Sequence, residues 1–289
     1  MSHSKTIQRG LATTVSQWLS GCAALLLCCL AGLAQASDSQ TVRISIIIDD
    51  MGGQLEAGLR ALQLPGAITY AFLPHTPHSR SLANAAHHLN REVMLHLPMQ
   101  AIGANKLGPG GLTLNMNRNQ FKQTFQSDLD AIPHAVGINN HMGSLLTQHP
   151  GHMKWLMEAI KQRDNLYFID SRTTHQTVAN QLARESNIPS RQRDVFLDDD
   201  PNPEAINRQF KLLLRKANRL GSAIGIGHPY KSTLSVLAQL IPQLKDQHII
   251  LVPASQLVHQ QPATHMALEP TPAPGPLVLK MPDKSRNYQ

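Results

Sequence analysis

Short apolar runs alternate with helical patterns along most of this chain, and this alternation limits its possible folds more than any other feature. The run from Val42 to Ile48 is nearly continuous and rich in β-branched residues, as expected of a strand that is covered on both faces. Strands that alternate with helices favour a parallel sheet with crossover helices. The predicted strands are Val42–Ile48, Ile68–Leu73, Glu92–Leu97, Ala135–Ile138, Asn165–Ile169, Ser222–Ile226 and His248–Val252. The predicted helices are Gln54–Leu62, Ser79–Asn90, Arg118–Ala131, Met153–Arg163, Thr177–Glu185, Pro203–Asn218 and Lys231–Leu244.

Seven such units fit a closed or nearly closed (β/α) barrel better than two nucleotide-binding halves. The chain has 289 residues, and single α/β barrels of about 250 residues are common. We therefore expect one α/β domain, a barrel of about seven strands.

Both ends of the chain differ in composition from this central region. Two basic residues precede the apolar run Leu19–Ala34, and a small-x-small triplet ends at Ala36, which is the order of a secretory signal. An uncleaved anchor is the alternative, although about 16 apolar residues are few for a membrane span. The last 30 residues are rich in proline without apolar periodicity, which predicts a disordered tail. The predicted boundaries are a signal at 1–36, a domain at 37–259 and a tail at 260–289.

Charge and cysteine usage exclude several classes of function. The chain has 26 Lys and Arg against 19 Asp and Glu, a formal charge of +7, and loss of Lys5 and Arg9 with the signal leaves 7 − 2 = +5. All three cysteines (Cys22, Cys28 and Cys29) leave with the signal, so we expect no disulfide partner and no cysteine nucleophile. Scattered basic residues and few aromatic ones fit an anionic envelope surface or polymer and not a nucleic acid. We expect a periplasmic or secreted protein that associates peripherally with the envelope.

Two acids end the first predicted strand, at the position where α/β barrels carry their sites. The carboxylates of Asp49 and Asp50 would repel each other, which raises one pKa unless a cation lies between them. One interpretation is a metal ligand beside a general base. The other is an aspartate that caps the helix predicted from Gln54.

Three histidines follow other predicted strands. His96 and His141, with one carboxylate, would form a ligand set that is common for Zn²⁺ with an open position for water. A lone histidine is more often a hydrogen-bonded structural residue, but the shared strand-end position favours a divalent metal, with zinc as the expected ion. His228 fits either a general acid that titrates near neutrality or a residue that closes a turn.

Other strand-end residues have two interpretations each. Asp170 and Ser171 could orient a ligand histidine or contact substrate. Asn139 and Asn140 could contact substrate or shape a turn. Asp198 begins a run of three acids, which is typical of a helix N-terminus, and only this first acid is kept as a candidate site residue.

The residues assembled above resemble the divergent polysaccharide deacetylase family, relatives of the NodB-type carbohydrate esterases, over about Val42 to Val258. The motifs that carry the resemblance are Ile-Asp-Asp-Met-Gly at 48–52, Leu-His-Leu-Pro-Met at 95–99, Gly-Ile-Asn-Asn-His-Met-Gly-Ser at 137–144, Phe-Ile-Asp-Ser at 168–171 and Gly-Ile-Gly-His-Pro at 225–229. The fold that this resemblance implies is a deformed, NodB-like (β/α) barrel with fewer than eight strands.

The same resemblance implies a role for each matching residue. Asp49 corresponds to the catalytic base and His228 to the general acid. Asp50 and His96 correspond to metal ligands.

The chain departs from the wider superfamily at two places. Position 100 is glutamine where a second histidine is usual, and the arginine-proline substrate motif is absent. His141 could supply the missing ligand from the next strand. The leading hypothesis is an exported metal-dependent hydrolase that removes acyl groups, N-acetyl above all, from an envelope polysaccharide or glycan. The second is a catalytically silent glycan-binding or scaffolding protein, and a glycosidase is a weaker third.

Overall fold

A computed structural model describes residues 41–103 and 106–259. The predicted signal, the predicted tail and the three cysteines lie outside the described residues, and the expectations about them stay predictions. The chain divides into two units, residues 1–42 and 43–289. The description below concerns the second unit, except that β1 begins one residue earlier, at Val42.

Strands and helices alternate through the described residues, as the sequence predicts. The strands are β1 (Val42–Met51), β2 (Thr69–Phe72), β3 (Glu92–Met99), β4 (Ala135–Met142), β5 (Tyr167–Asp170), β6 (Ser190–Gln192), β7 (Val195–Phe196), β8 (Ser222–Gly227) and β9 (Ile249–Leu251). The α-helices are α1 (Leu55–Leu62), α2 (Ser79–His88), α3 (Arg118–Ala131), α4 (Pro150–Lys161), α5 (Ala179–Glu185), α6 (Pro203–Leu220), α7 (Lys231–Leu240) and α8 (Ala254–His259). Two 3₁₀ helices span Leu146–Gln148 and Ile241–Gln247. Over the described ranges, each of these helices is too short or too polar to cross a membrane.

The strands form one sheet with β1 near its centre. The strand order is β6-β5-β4-β3-β2-β1-β8-β7, and β9 also pairs with β1. Neighbours along this order are parallel in every pair. Ile47 pairs with Thr69 on one side and with Ile226 on the other, so the isoleucine run of β1 is fully buried. This explains why its sequence is continuous and apolar instead of alternating.

Two short strands that the sequence did not predict bring the sheet edges together. β6 and β7 lie at opposite ends of the strand order, yet only Arg193 and Asp194 separate them in the chain. The Arg193 amide donates to Asp170 O on β5, and the Asp194 amide donates to Ile224 O on β8, both at 2.9 Å. The sheet therefore curls into a deformed barrel, which confirms the predicted fold class, with nine strands in the described residues instead of about seven. Strands of three and two residues are too short to show a periodic pattern.

Apolar side chains fill the interior of the barrel, and α8 closes its amino-terminal end. The Ala254 amide donates to Thr69 Oγ1 at 3.0 Å, and the Ser255 amide donates to Glu92 Oε1 at 3.1 Å. Because Thr69 and Glu92 begin β2 and β3, α8 lies at the starts of the strands. The carboxyl ends of the strands are at the opposite end of the barrel. The interior cluster comprises Ile47, Ala71, Met94, Tyr167, Ile169, Ile224, Ile226, Val252, Ala254, Leu257 and Val258.

Candidate active site

The backbone turns at the end of β1, and this turn brings the carboxylates of Asp49 and Asp50 close to His96. Neighbouring strand residues normally point to opposite faces, but Asp50 has a φ of 55°, in the left-handed region. As a result, His96 Nε2 lies 3.1 Å from Asp50 Oδ1 and 3.7 Å from Asp49 Oδ2. Gly52, two residues further on, also has a positive φ, of 116°. Such backbone strain in a non-glycine residue costs about 1–3 kcal/mol and is typical of functional sites.

Neither acid caps the helix that follows. The N-cap of α1 is Gln54, and it makes no side-chain capping bond. The capping interpretation of the paired acids is therefore wrong.

Three potential metal-ligand atoms converge at this point. The Asp50 Oδ1 atom lies 2.9 Å from His141 Nδ1 and 3.1 Å from His96 Nε2, and the two nitrogens are 3.1 Å apart. Tetrahedral ligands at about 2.1 Å from zinc are about 3.4 Å from one another, so the triangle is only slightly smaller than a zinc site requires. Asp50 Oδ1 is shielded from solvent and has no hydrogen-bond partner of standard geometry among the described residues. Asp50, His96 and His141 therefore fit a divalent ion.

A buried asparagine fixes the orientation of His96. Asn139 Nδ2 donates to Asp49 Oδ1 at 2.8 Å, which leaves its Oδ1 to accept from His96 Nδ1, also at 2.8 Å. The proton of a neutral His96 is then on Nδ1, and Nε2 presents a lone pair toward Asp50. Hydrogen bonds of this kind orient the ligands of metal sites.

Burial and neighbouring charges act differently on the ionisable groups. Burial raises the pKa of Asp49 above its usual value, although His96 and His228 act to lower it. Burial also acts to raise the pKa of Asp50, but His141 and His96 outweigh it and hold that pKa well below the usual range. For His96 burial acts to lower the pKa, yet Asp49 and Asp50 raise it to about 9. Cations are therefore strongly favoured beside the two acids.

His228, at the end of β8, is held by a buried aspartate. Asp198 Oδ1 lies 3.0 Å from His228 Nδ1, while Asp198 Oδ2 accepts from the His228 amide and from Thr233 Oγ1, both at 2.7 Å. His228 Nε2 faces the acids, 3.8 Å from Asp50 Oδ2. Burial acts to lower the pKa of His228, but the contact with Asp198 raises it overall. Asp198, the one acid of its run that was kept as a candidate site residue, thus orients His228.

A cavity of about 380 Å³, called the main cavity below, is lined by residues of β1, β3, β4, β7 and β8 and of the loop after β5. Of the residues predicted for the site, it is lined by Asp49, His96, Asn140, His141, Ser171 and His228. Asn140 has a structural contact as well, since its Oδ1 accepts from the Ser171 amide at 2.9 Å and thereby ties β4 to β5.

Asp170 does not orient a ligand histidine. Its carboxylate accepts from the Arg172 amide, Thr177 Oγ1 and the Asn180 amide, and so holds the loop between β5 and α5. It lines a separate cavity of about 350 Å³.

Several residues of the main cavity were not predicted. Arg193 and Phe196 lie in or beside the unpredicted strands β6 and β7, and Arg172 lies in the loop after β5. A sequence signal exists for Arg172, which directly follows the candidate residues Asp170 and Ser171. Arg193 carries no comparable signal, because its strand was not recognised.

Comparison with known proteins agrees with this arrangement. The family model described as divergent polysaccharide deacetylase matches residues 46–258. The chain therefore belongs to the divergent polysaccharide deacetylase family, as its motifs imply.

Two bacterial proteins and one solved structure are similar to this chain. The uncharacterized protein YibQ of Escherichia coli K12 is 38% identical over 228 residues, which cover 79% of this chain and 71% of YibQ. An uncharacterized protein of Haemophilus influenzae is 37% identical over 195 residues, 68% of this chain and 69% of that protein. The crystal structure of an uncharacterized protein from Agrobacterium tumefaciens C58 superimposes with a TM-score of 0.73 at 21% identity, covering 76% of this chain and 91% of that one. At 21% identity, the similarity to the Agrobacterium tumefaciens protein shows a shared fold alone.

Proposed function

We propose that the protein is an exported, metal-dependent hydrolase that removes acyl groups, N-acetyl above all, from an envelope polysaccharide or glycan. The observation that carries the proposal is the convergence of Asp50, His96 and His141 beside Asp49, within a deacetylase-family barrel. His228 lines the main cavity together with Asp49, His96 and His141.

Asp50, His96 and His141 would hold a divalent ion, which we propose to be Zn²⁺. Such an ion, when bound, lowers the pKa of water and polarises the acyl carbonyl. The remaining chemistry is assigned to the protein. Asp49 Oδ1 is held by Asn139, so Asp49 Oδ2 is the atom that takes the proton of the attacking water.

His228 would donate a proton to the departing amine. Its Nδ1 is held by Asp198, and its Nε2 faces the acids in the cavity. Because Asp198 fixes this ring, the nitrogen that carries the transferable proton is Nε2.

The first test is metal binding by the purified protein. Zn²⁺ titration and elemental analysis should find one ion per chain in the wild type, and Asp50→Ala or His141→Ala should lose it. His88→Ala is the matched control, since His88 is an exposed residue of α2. Absence of divalent metal, or an unchanged metal content in both site variants, would overturn the proposal at its first step.

A catalytically silent glycan-binding protein is the second candidate. The observation in its favour is Gln100, which stands where the superfamily's second histidine is usual and accepts a hydrogen bond from the Leu114 amide at 2.8 Å. Acetate release from acetylated glycans, measured for the wild type and for Asp49→Asn, separates the two. No release by either protein while the glycan binds supports the silent protein. Equal release by both would contradict the silent protein and remove Asp49 from the proposed mechanism.

Export by the N-terminal segment is part of the proposal. Cell fractionation of a producing bacterium should find the chain in the periplasm or medium, with an N-terminus near Ser37. Recovery in the cytosol with residues 1–36 intact would contradict export.

A further inference from the structure

Arg193 is a fixed cation in the wall of the main cavity. Its Nε donates to Ser171 O at 2.6 Å, its Nη2 donates to Arg172 O at 2.9 Å, and its guanidinium carbon lies 4.9 Å from the centre of the Phe196 ring. These contacts hold the planar group in one orientation. The proposed hydrolysis gives Arg193 no role.

The third nitrogen of this guanidinium is free to bind a ligand. Within residues 41–103 and 106–259, Nη1 has no hydrogen-bond partner, and Arg193 forms no salt bridge. The nearby acid Asp170 accepts three hydrogen bonds from its own loop. Among the described residues no carboxylate lies within salt-bridge distance of Arg193, although Asp49, Asp170 and Asp199 attract its charge from further away.

Two neighbours of Arg193 complete a polar corner of the cavity. Ser171 is 5% exposed and lines the cavity, and its Oγ has no partner among the described residues. Arg172 lines the same cavity and adds a second guanidinium. Hydroxyl and guanidinium groups together provide donors that match the two oxygens of a carboxylate.

We propose that Arg193, with Ser171 and Arg172, binds a carboxylate on the substrate, so that the substrate class is an acidic N-acylated glycan and not a neutral one. This inference rests on the proposed function, because it assigns a substrate to the same cavity. A singly charged group fits better than a phosphate, since Asp49 and Asp199 line the cavity too and would repel a dianion.

The test uses two probes that differ only in charge. One is a disaccharide of N-acetylglucosamine and N-acetylmuramic acid, and the other is the same disaccharide with its carboxylate converted to a primary amide. The Zn²⁺-loaded wild type should bind the acid about tenfold or more tightly than the amide, as measured by calorimetry, because one charge-assisted hydrogen bond has roughly this effect. Equal affinity for the two probes would overturn the inference without any variant.

Variants test whether Arg193 is responsible for the preference for the acid over the amide. Arg193→Gln should bind both probes equally, and Arg172→Gln should weaken the preference severalfold. Arg219→Gln is the matched control, because it removes the same charge from an exposed position in the last turn of α6, which leads into the start of β8. This variant should keep the full preference. Retention of the preference in Arg193→Gln contradicts the assignment.

Folding and hydrolysis are measured on the same preparations. Arg193 also holds two backbone carbonyls, so a thermal melt accompanies each variant. If Arg193→Gln does not fold, Arg193→Lys is measured in its place. This variant keeps the charge and should retain part of the preference for the acid. If both probes bind and release acetate equally well, the carboxylate site is wrong and the hydrolase stands. If the acid binds preferentially but no acetate is released, the carboxylate site stands and the hydrolase is wrong.

Discussion

Asn139 lies between Asp49 and His96 and hydrogen-bonds to both side chains at 2.8 Å. Because a carboxylate accepts and does not donate, the contact with Asp49 sets the direction of the amide, and the amide then sets the tautomer of His96. One residue thus couples the proposed base to a proposed metal ligand. The side chain is fully buried, which leaves it no alternative partner in solvent.

Replacement of Asn139 by alanine should weaken Zn²⁺ binding about 10- to 100-fold, as is usual when the partner of a ligand histidine is lost. The expected cause is a His96 ring whose tautomer and orientation are no longer fixed. A competition titration with a chromophoric chelator measures the affinity. An unchanged affinity in the folded variant would show that His96 is not a ligand or does not need Asn139.

Asp198→Asn should lower deacetylation by at least about tenfold while metal binding stays near that of the wild type. The carboxylate accepts three hydrogen bonds, two of them from His228, and an amide cannot accept all three without presenting its own hydrogens. The matched control is Asp200→Asn, an exposed acid that, among the described residues, accepts only from the Asn202 amide in its own turn. Equal rates in the two variants would remove His228 from the mechanism.

Gly137→Ala should lower the free energy of unfolding by about 1–3 kcal/mol, the usual cost of overpacking a core. A Cβ at Gly137 would lie 2.2 Å from the ring of Tyr167, which is buried and donates to Glu92. Gly53→Ala is the control, because a Cβ there meets nothing within 4 Å. Urea denaturation of the three proteins gives the comparison, and equal stability would mean that β4 can shift away from Tyr167.

The free energy of unfolding should fall as the pH rises from 5 to 8, and less steeply in Asp128→Asn. Burial raises the pKa of Asp128 to about 8, from a usual value of 3.8, so the folded protein retains a proton that the unfolded chain releases. This contribution is complete below pH 4 and is lost toward pH 8. The variant keeps a partner for His75, whose Nε2 lies 2.9 Å from Asp128 Oδ1. Denaturation at pH 5 and pH 8 should show a difference between the proteins of at least about 1 kcal/mol, and parallel pH profiles would contradict the prediction.

A chain that ends at Val258 should melt within about 2 °C of the full-length protein, less than a 1 kcal/mol change produces in a domain of this size. The Pro-rich segment lacks the apolar periodicity needed to offset the entropy of ordering it. Differential scanning calorimetry measures the shift. A clearly lower Tm would show that Leu277, Val278 and Leu279 pack on the barrel.

The sequence by itself determined the main strands, the family and the acids and histidines of the candidate site. These features are local: the isoleucine run of β1 and the helical periods can be recognised within about 10 residues, because burial imposes a pattern on neighbouring positions. The strand-end rule then placed Asp49, Asp50, His96, His141 and His228 at one end of the barrel.

Only the tertiary structure decided how these residues are held. The left-handed turn at Asp50, the amide of Asn139 between two strands, and the contact of Asp198 with His228 all depend on partners far apart in the chain. The same holds for closure of the barrel at Arg193 and Asp194, since strands this short are defined by the hydrogen bonds they find on β5 and β8 and not by a pattern of their own. Such contacts depend on how the whole chain packs, and a pattern of neighbouring residues does not record them.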